Sequence, residues 1–132
     1  MARAVARYDE FADWYEQWIG EAPPLIAAHA GLLPAVAGKR VLDVACGQGR
    51  MSRYLAGLGA DVTAVDISAA MLGKARALGP AGITYIAADI AGPPAWWDGR
   101  PFDGAACELA LMDIDDLAGT LAAVRTVLRP GG

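Results

Sequence analysis

The sequence predicts an α/β fold in which helices cover both faces of a doubly wound parallel sheet. Short apolar segments rich in β-branched residues alternate with longer segments in which apolar residues recur every three or four positions. Strands that are apolar throughout are typical of parallel sheets, because both faces of such sheets are buried. The 132 residues suffice for one domain with a core of its own.

The composition argues against several classes of protein and partner. Charged residues make up only 20% of the chain and hydrophobic residues 55%, which argues against disorder. Acidic residues outnumber basic ones by 15 to 11, so we expect neither nucleic acid nor an anionic membrane as a partner. One histidine and two cysteines do not complete a typical zinc site, so no metal is expected.

The hydropathy pattern predicts a cytoplasmic protein. The longest uncharged run, residues 22–38, contains three prolines and is shorter than the ~20 apolar residues that a bilayer requires. The first residues reach Asp9 before any apolar stretch, which is unlike a secretory signal.

Two helices are predicted before the first strand, and together they form an N-terminal helical cap over residues 1–38. Apolar residues at i, i+4, i+7 and i+8 from Phe11 predict an amphipathic helix over residues 5–19. A proline pair at 23–24 suits the first turn of a second helix, and Pro34 suits its end.

About four strands and three helices are predicted over residues 39–132, the second expected unit. The strands are residues 40–45, 61–65, 83–87 and 102–107, and the helices are residues 51–58, 69–78 and 117–128. Ser68 is predicted to cap the middle helix. The fourth strand is expected to be weak because it contains Gly104.

Glycines and carboxylates gather where the predicted strands end. In a doubly wound sheet, ligands bind outside the carboxyl ends of the strands. The first strand leads into a loop with Gly47 and Gly49, whose backbone can turn sharply and approach a ligand closely. The carboxylates near the four strand ends are those of Asp43, Asp66, Asp89 and Glu108. Such an arrangement suits a ligand with hydroxyls, amines and a positive centre.

Individual positions predict contacts with a nucleoside. Asp66 lies 17 residues after the second loop glycine, where an acid can bind the hydroxyls of a ribose. Asp89 can accept a hydrogen bond from the exocyclic amine of adenine. Ile67 and Ile90 each follow one of these acids, so they can enclose the flat base between them. Asp43 is placed where it can order the glycine loop.

Five segments resemble, in order, the motifs of one enzyme family. They are VLDVACGQGR (41–50), VTAVDIS (62–68), ITYIAADI (83–90), PFDGAACELAL (101–111) and VLRPGG (127–132). This succession resembles the class I S-adenosylmethionine-dependent methyltransferases, in particular their small-molecule, methyltransferase type 11-like branch. YDEFADWY (8–15) is similar to the N-terminal helix motif that lies over the cofactor in that branch. The resemblance implies a Rossmann-like sheet with strand order 3-2-1-4.

The resemblance also implies that S-adenosyl-L-methionine is the cofactor and that a small molecule accepts its methyl group. The cofactor's methionine would lie among Asp43, Gly47 and Gly49, its ribose on Asp66 and its adenine on Asp89. Glu108 would line the floor between cofactor and acceptor, and Tyr8 or Tyr15 would cover the carboxyl end of the cofactor. No catalytic base is identified, although His29 and Asp113 are candidates.

Two other interpretations remain open. A nicotinamide dinucleotide-binding domain also has a glycine loop and an acid after its second strand, but here Ser52 stands where a third glycine or alanine belongs. A methyltransferase-like fragment or binding module without turnover is the other, because the sequence stops after four of the seven strands usual in the family. We therefore expect a domain truncated after its fourth strand–helix unit, with an exposed fourth-strand edge through which it can self-associate.

Overall fold

The computed structural model describes residues 6, 8–19, 28–29, 31–92 and 94–132, apart from the side chains of residues 18 and 19. The helices are α1 (Ala12–Ile19), α2 (Arg50–Gly57), α3 (Ala69–Ala77) and α4 (Leu117–Val127), and Leu111–Asp113 form a 3₁₀ turn. The strands are β1 (Arg40–Val44), β2 (Asp61–Asp66), β3 (Thr84–Ala87) and β4 (Gly104–Ala106). All of these helices and strands except α1 lie within two residues of their predicted ranges.

The four strands form one parallel sheet in the order β3-β2-β1-β4, which confirms the predicted fold class and strand order. Five residue pairs join β1 to β2, from Arg40 and Asp61 to Val44 and Val65. Only three pairs join β1 to β4, whose first residue is Gly104. Because all strands run the same way, their carboxyl ends meet along one edge.

Both faces of the sheet are buried under helices. On one face, Val41 and Val62 belong to a cluster with Leu55 of α2. On the other face, Leu42 belongs to a second cluster with Val127 of α4. Alternate residues of β1 thus contribute to opposite layers, as the two-residue period of a strand requires. Each such fully buried side chain stabilises the fold by about 1.5–3 kcal/mol.

The first helix begins later than predicted. It starts at Ala12 rather than at residue 5, because the chain forms turns at residues 8–11 and Asp9 forms hydrogen bonds with residues at the start of α3. The Asp9 carboxylate accepts hydrogen bonds from the Ser68 hydroxyl (2.6 Å) and the Ala70 backbone N–H (3.2 Å). Phe11, predicted on the apolar face, is exposed, whereas Ala12 is buried. Ala28 and His29 are helical, but most of the second predicted helix lies outside the described residues.

Candidate functional site

A cavity of about 580 Å³ lies at the carboxyl ends of the strands. This volume falls within the range of ~300–1,000 Å³ typical of small-molecule sites. Most of the predicted site residues line it, namely Asp43, Gly47, Asp66, Ile67, Asp89, Ile90, Glu108 and Tyr15. Gly49 is not part of the wall.

The loop after β1 takes backbone conformations that side chains rarely adopt. Gly47 and Gly49 have φ values of +56° and +80°, and Ala45 has φ +53° despite its side chain. A Cβ on Gly49 would lie 2.5 Å from the Tyr85 hydroxyl oxygen and 3.1 Å from the Ala75 Cβ. The missing side chain therefore lets the loop pack against β3 and α3. A contact between Gly49 and the cofactor stays a prediction.

Asp43 is a buried acid held beneath this loop. It is only 1% exposed, and its Oδ2 accepts a hydrogen bond of 2.5 Å from the Ser52 hydroxyl of α2. Burial raises the pKa of Asp43 to about 7, a shift that the Ser52 bond opposes and that nearby Glu108 and Asp66 reinforce. Ser52 departs from the dinucleotide-binding pattern, and the structure gives the physical reason, since this serine is the partner of the buried acid.

Asp66 joins the loop after β1 to the turn after β2. Its Oδ2 accepts a hydrogen bond from the Gly47 N–H and its Oδ1 accepts one from the Ser68 N–H, each at 2.8 Å. Burial raises the pKa of Asp66, although both hydrogen bonds lower it. Each carboxylate oxygen keeps a second lone pair, so Asp66 can also accept hydrogen bonds from a diol in the cavity. Ser68 caps α3 as predicted, accepting a hydrogen bond from the Met71 N–H at 3.2 Å.

The segment after β3 brings an exposed acid and a buried apolar side chain to the cavity. The Asp89 Oδ1 accepts a hydrogen bond of 3.0 Å from the Ala91 N–H, and the residue is exposed. Ile90 is buried and Ile67 is more exposed, and both line the cavity. A flat base therefore finds apolar surface there with a carboxylate close by.

Residues of the N-terminal segment cover the cavity. The Tyr8 hydroxyl donates a hydrogen bond of 2.8 Å to Asp113 Oδ2, and the Tyr8 ring meets the Tyr15 ring edge-on at 5.2 Å. Burial, and then the bond to Asp113, raise the pKa of Tyr8 to about 12. Lys74 of α3 forms an ion pair of 2.7 Å with Glu16 of α1. The Tyr8–Asp113 contact joins residues 105 positions apart, and no local pattern predicts it.

Glu108, which follows β4, pairs with the single histidine of the sequence. His29 Nδ1 lies 3.0 Å from Glu108 Oε1, and the two residues are 79 positions apart. The Glu108 side chain is 11% exposed and that of His29 is 32% exposed. Sequence reasoning identified both residues separately but not their contact. The signal was missing because Glu108 and His29 lie in different predicted units.

The described residues contain neither a membrane-spanning helix nor a cluster of metal ligands. None of the helices there is long and apolar enough to cross a bilayer. Within the same residues, no three or more His, Cys, Asp or Glu side chains are grouped so that they could hold a metal ion.

Comparison with known proteins places this chain in one family. Residues 41–132 match the family model described as "Methyltransferase domain". The chain is 40% identical over 136 residues to a malonyl-[acyl-carrier protein] O-methyltransferase of Pseudescherichia vulneris, covering 100% of this chain and 49% of that protein. It is 41% identical over 110 residues to a ubiquinone biosynthesis O-methyltransferase of Aromatoleum aromaticum, covering 81% and 45%. The chain spans about half the length of the curated relatives it matches.

Solved structures give the same result. An S-adenosylmethionine dependent methyltransferase from Mesorhizobium loti superposes with a TM-score of 0.70 at 39% identity, over 80% of this chain and 49% of that one. A structure described as a DhpI-SAM-HEP complex has a TM-score of 0.73 at 25% identity, over 99% and 65%. The predicted family is confirmed: the chain belongs to the methyltransferase-domain family, in the S-adenosylmethionine-dependent class I group.

Proposed function

We propose that the protein binds S-adenosyl-L-methionine in the cavity and transfers its methyl group to a small-molecule acceptor. The observation that carries this proposal is the convergence of Asp43, Asp66 and Glu108 on one cavity beside the glycine loop. Negative charge at the strand ends suits a ligand that carries a sulfonium and an amine. Family membership and the two O-methyltransferase relatives support the same function.

When bound, the cofactor supplies an electrophilic methyl group, and the chain's own residues would position it. Asp66 would bind the ribose hydroxyls, Asp89 the adenine amine, and Ile67 with Ile90 the faces of the base. Tyr15, together with Tyr8, would cover the ligand and exclude water. Holding two reactants in a near-attack geometry can lower the activation free energy by about 7–11 kcal/mol.

Calorimetric titration with S-adenosylmethionine, S-adenosylhomocysteine and NADH tests the proposal. We expect both sulfur ligands to bind and NADH not to bind. Asp66→Ala should weaken binding of S-adenosylhomocysteine by about 10- to 100-fold, because hydrogen bonds to a charged group contribute about 1.5–3 kcal/mol. The matched control is Asp61→Ala, at the exposed opposite end of β2, which should bind like the wild type.

Two results of the titration and of an activity assay would favour the alternative functions. Tight NADH binding with no response to either sulfur ligand would contradict the proposal and favour a nicotinamide-binding domain. Binding of the sulfur ligands without transfer to any acceptor, over a broad panel, would favour a binding module without turnover.

We also propose that the chain has two functional units. Residues 1–38 would serve as a cap and residues 39–132 as the cofactor-binding unit, and the cover that Tyr8 and Tyr15 form over the cavity supports this.

The cytoplasm is the proposed compartment, which suits two cysteines, Cys46 and Cys107, that are both free.

The outer edge of β4 is a proposed contact with a second copy of the chain. β4 lies at the edge of the described sheet, and the residues that follow it expose Leu109, Leu111 and Met112. Beyond the bridge between Phe102 and Leu128, the outer edge of β4 has no strand partner among the described residues, and an unpaired edge beside apolar side chains favours association. Light scattering after size-exclusion chromatography should give a mass that rises with concentration, and a constant monomer mass would contradict this contact.

A further inference from the structure

Glu108 is a carboxylate that could act as a base and that His29 orients through one of its oxygens. Glu108 lines the cavity, whereas His29 is not part of the wall and contacts Glu108 from the N-terminal segment. The contact uses Glu108 Oε1, and no described residue forms a hydrogen bond with Oε2. Among the described residues, an imidazole thus contacts one carboxylate oxygen, and the other has a lone pair that can accept a proton.

The residue after Glu108 has a backbone conformation that side chains rarely adopt. Leu109 has φ +52°, and Ala45 is the one other non-glycine residue with positive φ in the described part of the chain. Both line the cavity. Such a conformation costs a residue with a side chain about 1–2 kcal/mol, and it persists where the surrounding structure fixes the backbone, often at functional sites.

Two other elements place titratable side chains near Glu108. Asp43 of β1 is close enough for the two carboxylates to repel each other, and this repulsion contributes to the raised pKa of Asp43. Burial raises the pKa of Tyr15 on α1. The positive charge of Arg50 on α2 opposes this rise, and the negative charges of Asp113 and Glu108 add to it. Asp43, Tyr15 and Glu108 all line the same cavity, so a proton that leaves an acceptor there meets a carboxylate.

From this arrangement we propose that Glu108 is the general base of methyl transfer and that His29 positions it. The inference rests on the proposed function. In the step, a lone pair of the acceptor oxygen or nitrogen forms a bond to the methyl carbon. The carbon–sulfur bond breaks, and its electron pair stays on sulfur as a neutral thioether. The proton of the acceptor's O–H or N–H moves to the Glu108 carboxylate and returns to solvent after the products leave.

A single-histidine protein allows the contact itself to be observed. Nitrogen NMR of the imidazole should give one signal pair, whose chemical shifts and tautomer report on His29 alone. Glu108→Gln should change the chemical shift of Nδ1, which contacts Glu108 Oε1, and the control Glu10→Gln, at an exposed turn residue, should leave it unchanged. An Nδ1 chemical shift that Glu108→Gln does not alter would overturn the pairing.

Kinetics with a series of substituted phenols tests the role of the pair. Glu108→Gln should slow transfer to weakly acidic phenols by about 10²-fold or more, as loss of a general base does. Phenols already ionised at the assay pH should be affected far less, because they need no base. Glu108→Gln should weaken binding of S-adenosylhomocysteine far less than it slows transfer, because only the transfer step needs a base.

His29 variants separate positioning from structural support. His29→Leu should lower kcat for weakly acidic phenols and shift the limb of the pH profile that reports the base. His29→Gln, which keeps a hydrogen-bond donor, should recover part of the rate. Equal losses for all phenols, no loss in Glu108→Gln, or transfer by the wild type to no phenol would overturn this inference. Failure of the wild type to bind S-adenosylhomocysteine would instead overturn the proposed function.

Discussion

The two walls of the cavity are built in different ways. On the β1–β2 wall, buried groups are joined over short sequence distances, as in Asp43 with Ser52 and Asp66 with Ser68. The opposite wall and the cover rely on contacts between distant and more exposed residues, such as Tyr8 with Asp113. Water can replace an exposed hydrogen bond at little cost, whereas a buried one has no substitute. The first wall is therefore a fixed part of the sheet, and the second depends on contacts that open more easily.

The largest difference between the sheet and the N-terminal segment should appear when an aromatic side chain is truncated. Phe102 is fully buried, and the Arg40 guanidinium lies 4.3 Å from its ring centre. Phe102→Ala should lower the free energy of unfolding by about 3–5 kcal/mol. Phe11→Ala, at a residue that is 55% exposed, should change it by no more than about 0.5 kcal/mol. Urea denaturation measures both, and similar losses would place Phe11 in the core and contradict the comparison.

Glycine substitutions in the turns before and after β1 should separate backbone strain from steric conflict. Gly49→Ala combines positive φ with a clash against Tyr85 and Ala75, which together cost about 2–5 kcal/mol. Gly38→Ala has φ +71° but no atom within 4 Å of the added Cβ, so only about 1–2 kcal/mol of strain is expected. Thermal unfolding of the two variants would contradict the packing role of Gly49 if Gly38→Ala proved equally damaging.

The buried acid of the fixed wall should make stability depend on pH. The pKa of Asp43 is about 7 in the folded protein, above its value of roughly 3.9 in an unfolded chain. Between these values the folded state binds more protons, so stability should fall as pH rises from about 4 to 7 and level off above that. Asp43→Asn should flatten this slope, while Asp61→Asn should keep it. Melting temperatures measured across this range would contradict the account if Asp43→Asn retained the full slope.

The smallest effects are expected in the cover. Tyr8→Phe removes the hydroxyl that bonds to Asp113 but keeps the ring that packs against Tyr15. Because the bond is exposed, stability should change by less than about 1 kcal/mol. Affinity for S-adenosylhomocysteine should fall several-fold, chiefly through faster dissociation measured by stopped flow. An unchanged dissociation rate would mean that this contact does not help to retain the ligand.

How much the sequence predicts follows the same division. The β1–α2–β2 region has strong local patterns, and its strands and glycine loop lie where periodicity places them. Gly49 shows the limit of such patterns, because a glycine motif does not reveal that Tyr85 and Ala75 occupy the space beside it. The late start of α1 depends on the hydrogen bond between Asp9 and Ser68, the residue that caps α3. The two residues are far apart in the sequence. The pairs that close the cavity join residues with no shared local signal, so only three-dimensional structure reveals them.

A crystal structure of the protein with S-adenosylhomocysteine would show directly whether the cavity is the cofactor site. We expect the ligand in the strand-end cavity, with its ribose hydroxyl oxygens about 2.5–3.0 Å from the Asp66 carboxylate and its adenine between Ile67 and Ile90. A ligand bound elsewhere, or an Asp66 that contacts only the Gly47 and Ser68 N–H groups while the ribose lies apart, would contradict this expectation.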